Sequence, residues 1–139
     1  MNHSEIVTEI TALKARYFRY LDNQQWDKWA EVFTEDFKAS HEAIGYTLEV
    51  SSRDEMVETT RAGLEGISSV HHGHMPEITV LDENTVQAVW AMEDRVETPE
   101  VSLHGFGHYH ETYRRINGEW KIQSSRLDRL PMTSFKSKK

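Results

Sequence analysis

The sequence predicts an α+β domain in which helices lie against one face of an antiparallel sheet. Three observations predict it. Ile6, Ile10, Leu13, Tyr17 and Leu21 recur at three- and four-residue steps, which makes one apolar helical stripe. Four strand-like stretches then follow in the second half, at residues 68–81, 85–97, 102–116 and 119–130. Their joints are turn-like, and Asn117-Gly118 is a strong two-residue hairpin signal.

Ser4 is a plausible N-cap for the first helix, and the stripe turns Tyr17 toward the core. LDNQQW reads as a turn leading into a second short helix, Trp26 to Phe33, which Asp36 and Phe37 leave. Residues 37–50 read as short, irregular strands around Gly45. Ser52 followed by Glu55 is a capping signature. Behind it Met56, Val57, Thr60 and Leu64 give a helical face, with Gly66 as a natural stop. Asp82-Glu83-Asn84 joins the first two long strands, and the last three long strands form a meander.

Composition limits the function. A chain of 139 residues makes one domain, spanning 1–139, with a core of ordinary size. Net charge is −7 without any Lys/Arg stripe, which argues against nucleic acid as a partner. The basic KSKK ending, with the tail from about 132 to 139, is expected to fray in solvent. No apolar run is long enough to cross a bilayer, and MNHSEIVTEI lacks a signal-peptide pattern, so a cytoplasmic protein without membrane contact is expected. The absence of cysteine rules out disulfides and thiolate chemistry.

The chemistry-bearing residues are scattered. They are Tyr17 and Asp22 near the first helix, His71, His72 and His74 in VHHGHMPEI, and Arg126 and Arg129 near the end. A histidine whose far ring nitrogen is held by a carboxylate can accept a proton at neutral pH. Asp22 and His72 could form such a dyad; His71 and His72 alternate along a strand, so only one of them can face a pocket. Asp22 as a helix cap and His72 as a satisfied core histidine is the bland alternative. Tyr17 could hydrogen-bond a substrate oxygen or simply pack in the core. An inward arginine would bind a carboxylate or oxyanion, whereas an outward one would pair with Asp128 or a neighbouring glutamate. Asp94 and Glu97 could add polar groups to the pocket. His104, His108 and His110 share a strand face, but neighbours two apart lie about 6–7 Å from each other, loose for joint chelation. No metal and no cofactor is expected.

ARYFRYLDNQQWDKWAEVFTEDF, VHHGHMPEI and GHYHETYRRINGEWKI together resemble the SnoaL-like group of the nuclear-transport-factor-2-like superfamily. The resemblance covers nearly the whole chain. It implies a cone, a curved antiparallel sheet wrapped around a long helix with an apolar pocket at its mouth. It also implies a homodimer or larger homo-oligomer, and Trp90, Phe106, Tyr109 and Tyr113 supply more aromatic surface than one inner face readily takes. By the same resemblance Asp22 and His72 fall where dehydratases and a dehydrochlorinase of the group keep an orienting aspartate and a catalytic histidine. Tyr17 falls on a tyrosine of the bile-acid dehydratases, and Arg126 or Arg129 on a late-strand arginine. The chain departs from the scytalone dehydratase pattern at Asp94 and Glu97, where a second histidine is missing, and at Gly107 and Tyr109, which replace inward Ser and Asn.

The resulting expectation is a cofactor-independent lyase, dehydratase-like, or an isomerase, acting on a small, largely apolar cyclic hydroxyketone of steroid or polyketide type. Tyr17, Asp22 and His72 would be catalytic, with Arg126, Arg129, Asp94 and Tyr109 binding substrate. The alternative is a non-catalytic ligand-binding or oligomerisation module of the same fold. An Asp22 and His72 that do not touch, or an arginine bound to the protein itself, would favour that alternative.

Overall fold

Helix α1, His3–Asp22, sets the frame of the molecule in a computed structural model that describes residues 1–43 and 45–139. Its cap is Asn2, whose side chain accepts the Glu5 N–H at 2.9 Å, so Ser4 lies inside the helix instead of capping it. The expected stripe is buried, and Lys14 is buried with it. Helix α2 is shorter than expected, Trp26–Ala30. From Phe33 the chain is already strand β1, Phe33–Glu42, so Asp36 and Phe37 lie in a strand. From Phe37 onward the reason is period: Phe37, Ala39 and His41 are buried at alternate positions, a two-residue repeat that a helix cannot serve.

β1 pairs antiparallel with β2, Thr47–Val50. Residue 44, in the stretch expected to be irregular, lies outside the described residues. Helix α3, Arg53–Gly63, starts where the capping signature places it, with Ser52 Oγ accepting the Glu55 N–H at 3.1 Å. Four long strands follow: β3 Ser68–Asp82, β4 Thr85–Glu97, β5 Val101–Ile116 and β6 Glu119–Arg129. Asn117 and Gly118 both adopt positive φ, 52° and 82°, as the tight hairpin between β5 and β6 requires.

The sheet runs β2-β1-β6-β5-β4-β3 and is antiparallel except where β1 pairs parallel with β6. A further strand, β7, Ser134–Ser137, pairs with the start of β5, so the tail expected to fray is in part an ordered edge. The sheet is curved and unclosed, and the helices pack into its inner face. Trp90, Tyr109 and Tyr113 are core residues on that inner face; of the four aromatics held to exceed what one inner face takes, only Phe106 is partly exposed. The aromatic argument for an oligomer therefore loses most of its surface.

Two interruptions of register decide which side chains face inward. In β3 the pairing with β4 slips between His74 and Glu77, around an exposed Met75 at φ 39° and Pro76. In β6 the pairing with β5 slips so that Tyr113 meets Ile122 while Thr112 meets Ser124. Each slip inserts an unmatched residue and reverses the alternation of faces beyond it.

Candidate active site

α1 ends at the mouth of the cone, and its last residue, Asp22, reaches β3. Asp22 Oδ2 accepts the backbone N–H of His71 at 2.9 Å, and Oδ1 lies 2.7 Å from His71 Nδ1. The ring partner of Asp22 is thus His71, and the expected Asp22–His72 pair does not form. His72 is exposed on the opposite face of β3, where its ring lies edge-on to His74 with centroids 5.9 Å apart. The bulge at Met75-Pro76 is the physical cause. Below it Ile78 and Val80 turn toward the core at even positions, and above it Ser69, His71 and Gly73 do so at odd ones. Pro76 inside a strand was the readable signal, since proline is confined to edges and bulges.

A carboxylate only accepts, so Asp22 holds a proton on His71 Nδ1 and leaves Nε2 with its lone pair in the neutral ring. The backbone contact to the same carboxylate fixes the orientation of that ring.

β6 resolves the pair of arginines by the same logic. Past its slip Ser125, Leu127 and Arg129 point inward, and Arg126 is exposed and paired with Asp128 at 3.1 Å, which removes it from the pocket. Arg129 meets buried Asp94 in a two-pronged pair, Nη1 to Oδ1 at 3.0 Å and Nη2 to Oδ2 at 2.8 Å. Its Nε donates to the Glu42 carbonyl at 2.8 Å. Three of its five N–H groups are so committed, and two remain. Gly105 makes room for this pair, because a Cβ there would sit 2.1 Å from both Arg129 Nη1 and Asp94 Oδ1. Glu97 lies outside it, with Ser102 and Lys138.

Tyr17, His41, His71, Asp94, Tyr109 and Arg129 line one pocket of about 180 Å³, walled by Leu48, Met56, Leu64 and Leu127. Five of the expected site residues, Tyr17, Asp22, Asp94, Tyr109 and Arg129, thus lie in or beside it. Burial, with the Glu111 charge nearby, pushes the Tyr17 hydroxyl well above its ordinary range; burial does the same to Tyr109. Both stay protonated donors at neutral pH.

His41 was not anticipated, and neither was the charged group behind it. Lys14 Nζ, fully buried, lies 3.0 Å from Glu111 Oε2 and over the rings of Tyr109 and Tyr17 at 3.7 and 4.0 Å. Ser125 Oγ and Tyr113 OH also reach Glu111, at 2.7 and 2.6 Å, and His41 Nε2 lies 2.8 Å from Ser125 Oγ. Burial lowers the Lys14 pKa, and Glu111 opposes that fall. Burial, with Lys14, Arg129 and His71 adding positive charge, pushes His41 down to about 3, so its ring is neutral. Position was the available signal: Lys14 is four residues from Ile10 on the apolar stripe, and His41 continues the alternation of Phe37 and Ala39. Among the described residues no three histidines or carboxylates converge as a metal ion would need.

The comparisons agree with this architecture. Over 138 residues, 91% of this chain and 92% of the relative, the sequence is 25% identical to a probable cyclase of Gibberella zeae. A solved structure from Novosphingobium aromaticivorans, described as a candidate scytalone dehydratase, is 22% identical with a TM-score of 0.81, covering 96% of this chain and 91% of that one. A type-3 hexachlorocyclohexane dehydrochlorinase from Novosphingobium barchaimii is 14% identical with a TM-score of 0.78, covering 96% and 90%. At such identities these structures speak for the fold alone. The family model for the SnoaL-like domain matches residues 2–126, and with that match over most of its length the chain belongs to the SnoaL-like family.

Proposed function

We propose that the protein is a lyase of dehydratase type, or an isomerase, working without a cofactor on a small, largely apolar cyclic hydroxyketone. The observation that carries this reading is the Asp22–His71 contact at the pocket, which fixes the ring and leaves Nε2 as a base. In the proposed reaction His71 Nε2 takes the proton beside the carbonyl. Tyr17 donates a hydrogen bond to the oxyanion that develops, with the two uncommitted N–H groups of Arg129 in support. The carbon–oxygen bond to the leaving hydroxyl then breaks, and the imidazolium returns its proton to that hydroxyl. The products are water and a conjugated ketone. Return of the proton to a different carbon would make the same site an isomerase. The family resemblance to dehydratases, cyclases and dehydrochlorinases supports the class of chemistry, and the substrate class is carried over from that resemblance.

One observation favours the second reading, a ligand-binding module: Arg129 is engaged by the protein's own Asp94. A single experiment separates the two. The protein is incubated in heavy water with a panel of cyclic hydroxyketones, and deuterium uptake and loss of water are followed by NMR. The proposal expects one or both, abolished in His71→Ala. Binding without exchange or elimination across the panel would establish the binding module instead.

A further inference from the structure

Beneath the pocket, donors and acceptors fix the direction of every hydrogen bond from Trp90 to His41. The Trp90 indole N–H can only donate, and it points at Tyr113 OH at 2.9 Å. The Tyr113 proton must therefore go to Glu111 Oε1. Lys14 can only donate, and it occupies Glu111 Oε2. Both carboxylate oxygens are acceptors, so the Ser125 hydroxyl donates its single proton to Oε2. Ser125 Oγ then has only lone pairs to offer His41, and His41 Nε2 must carry the proton between them. In a neutral ring the proton is then absent from Nδ1. Nδ1 is the one polar atom of this pocket-lining ring with no hydrogen-bond partner among the described residues.

We propose that His41 is a specificity-determining residue, whose Nδ1 accepts a hydrogen bond from a hydroxyl or other donor on the bound molecule. The other pocket groups leave that role open. Tyr17, Tyr109 and Arg129 offer donors, and His71 Nε2 is reserved for the reacting proton in the function proposed above, on which this inference rests. Asp94 is closed by Arg129 on both oxygens. Glu42 and Thr59 also line the pocket but are exposed to solvent, and Thr60 Oγ1 is turned to Met56 Sδ, so a hydroxyl held against the buried wall has His41 as its partner. Lys14, Glu111 and Ser125 are positioning residues that hold the tautomer, and the buried positive charge of Lys14 disfavours a second proton on the ring.

The test uses the full chain with ¹⁵N-labelled histidine and two sets of probes, indanones and their monohydroxy derivatives. At neutral pH the His41 ring should give the neutral Nε2–H pattern, and the Nδ1 signal should move when a hydroxyindanone binds. Wild-type protein should prefer at least one hydroxyindanone over its parent by roughly tenfold, the worth of one hydrogen bond. His41→Phe should remove the preference while still binding the parent. Ser125→Ala, which keeps the histidine but frees its tautomer, should weaken the preference. His71→Ala should leave it intact, so a failure of the lyase reading is seen separately, as absent turnover with the preference retained. An Nδ1–H tautomer, no hydroxyl preference in wild type, or a preference that survives in His41→Phe would overturn the proposal.

Discussion

At the residue scale, two adjacent histidines have opposite fates. His71→Ala should reduce turnover by roughly 10²–10⁴-fold, the usual contribution of a positioned acid–base group. His72→Ala should change it little, since that ring is exposed on the other face. Asp22→Asn should be nearly as harmful as His71→Ala, because the amide no longer holds the proton on Nδ1 as an anion does. Tyr17→Phe should lose less, one hydrogen bond to a developing charge. Steady-state kinetics of the proposed reaction checks all four. His41 gives a pH signature as well. The charges acting on it are Lys14 from α1, Arg129 from β6 and His71 from β3; the Tyr109 ring of β5 lies against it, Ser125 of β6 links it to Glu111, and Asp94 of β4 lines the same pocket. The folded pKa of His41, about 3, lies below the unfolded value of 6.5. The unfolded chain therefore binds the extra proton first, so His41's contribution is fully present above pH 6.5 and is lost as pH falls toward 3. The expected slope approaches about 1.4 kcal/mol per pH unit within that window. Urea titrations from pH 7 to 5, above most carboxylate titrations, should show stability falling in the wild type and a flatter profile in His41→Phe.

At the scale of elements, the site depends on how β3, β4, β5 and β6 approach one another. β5 passes close to its neighbours at two glycines. Gly105 leaves space for the Asp94–Arg129 pair, and a Cβ at Gly107 would lie 2.1 Å from the Asp128 carbonyl oxygen. The two should respond differently to alanine. At Gly105 the obstacle is partly the end of a flexible arginine, which can move aside at the cost of its pairing. At Gly107 it is backbone, so the strands themselves must separate. Gly105→Ala should lose about 1–3 kcal/mol, as overpacking does, and weaken ligand binding more than it weakens the fold. Gly107→Ala should destabilise more. Thermal unfolding and ligand titration on both variants check the order.

Across the whole molecule, the least ordinary feature is a lysine and a glutamate buried together, 97 positions apart in the chain. Such a pair contributes little net stability, but removing one partner leaves an uncompensated charge. Lys14→Met should cost about 3–5 kcal/mol, a large part of what a domain this size has. Adding Glu111→Leu to Lys14→Met should recover a good part of that loss. Equilibrium urea unfolding of the two singles and the double variant reads the coupling directly; additive losses would show the pair to be energetically independent. The same pair ties α1 to β5 and sets the hydrogen bonds that reach His41, so core stability and pocket chemistry share one network.

The local signals were legible in the sequence alone. The helical stripe of α1, the Ser52 cap and the Asn117-Gly118 hairpin each depend on residues a few positions apart, and the structure has all three. The four long strands lie within about a residue or two of their expected bounds, and Asp22 lies at the end of its helix. What needed the tertiary structure was parity. A strand's alternation says that His71 and His72 face opposite ways, but which way depends on how many residues separate them from the core positions farther along. The bulge at Met75-Pro76 changes that count by one, and the slip in β6 does the same for Arg126 and Arg129. Pro76 marks the first slip in the sequence, but the register on either side of each slip is set by pairing with a neighbouring strand, which no window of the sequence contains. The extent of β1 and the pairing of β7 were missed for the same reason, as their partners lie far away in the chain. Lys14, Glu111, Ser125 and His41 meet only when helix and sheet close on one another, and a lysine on an apolar stripe acquires its meaning from the carboxylate it meets there.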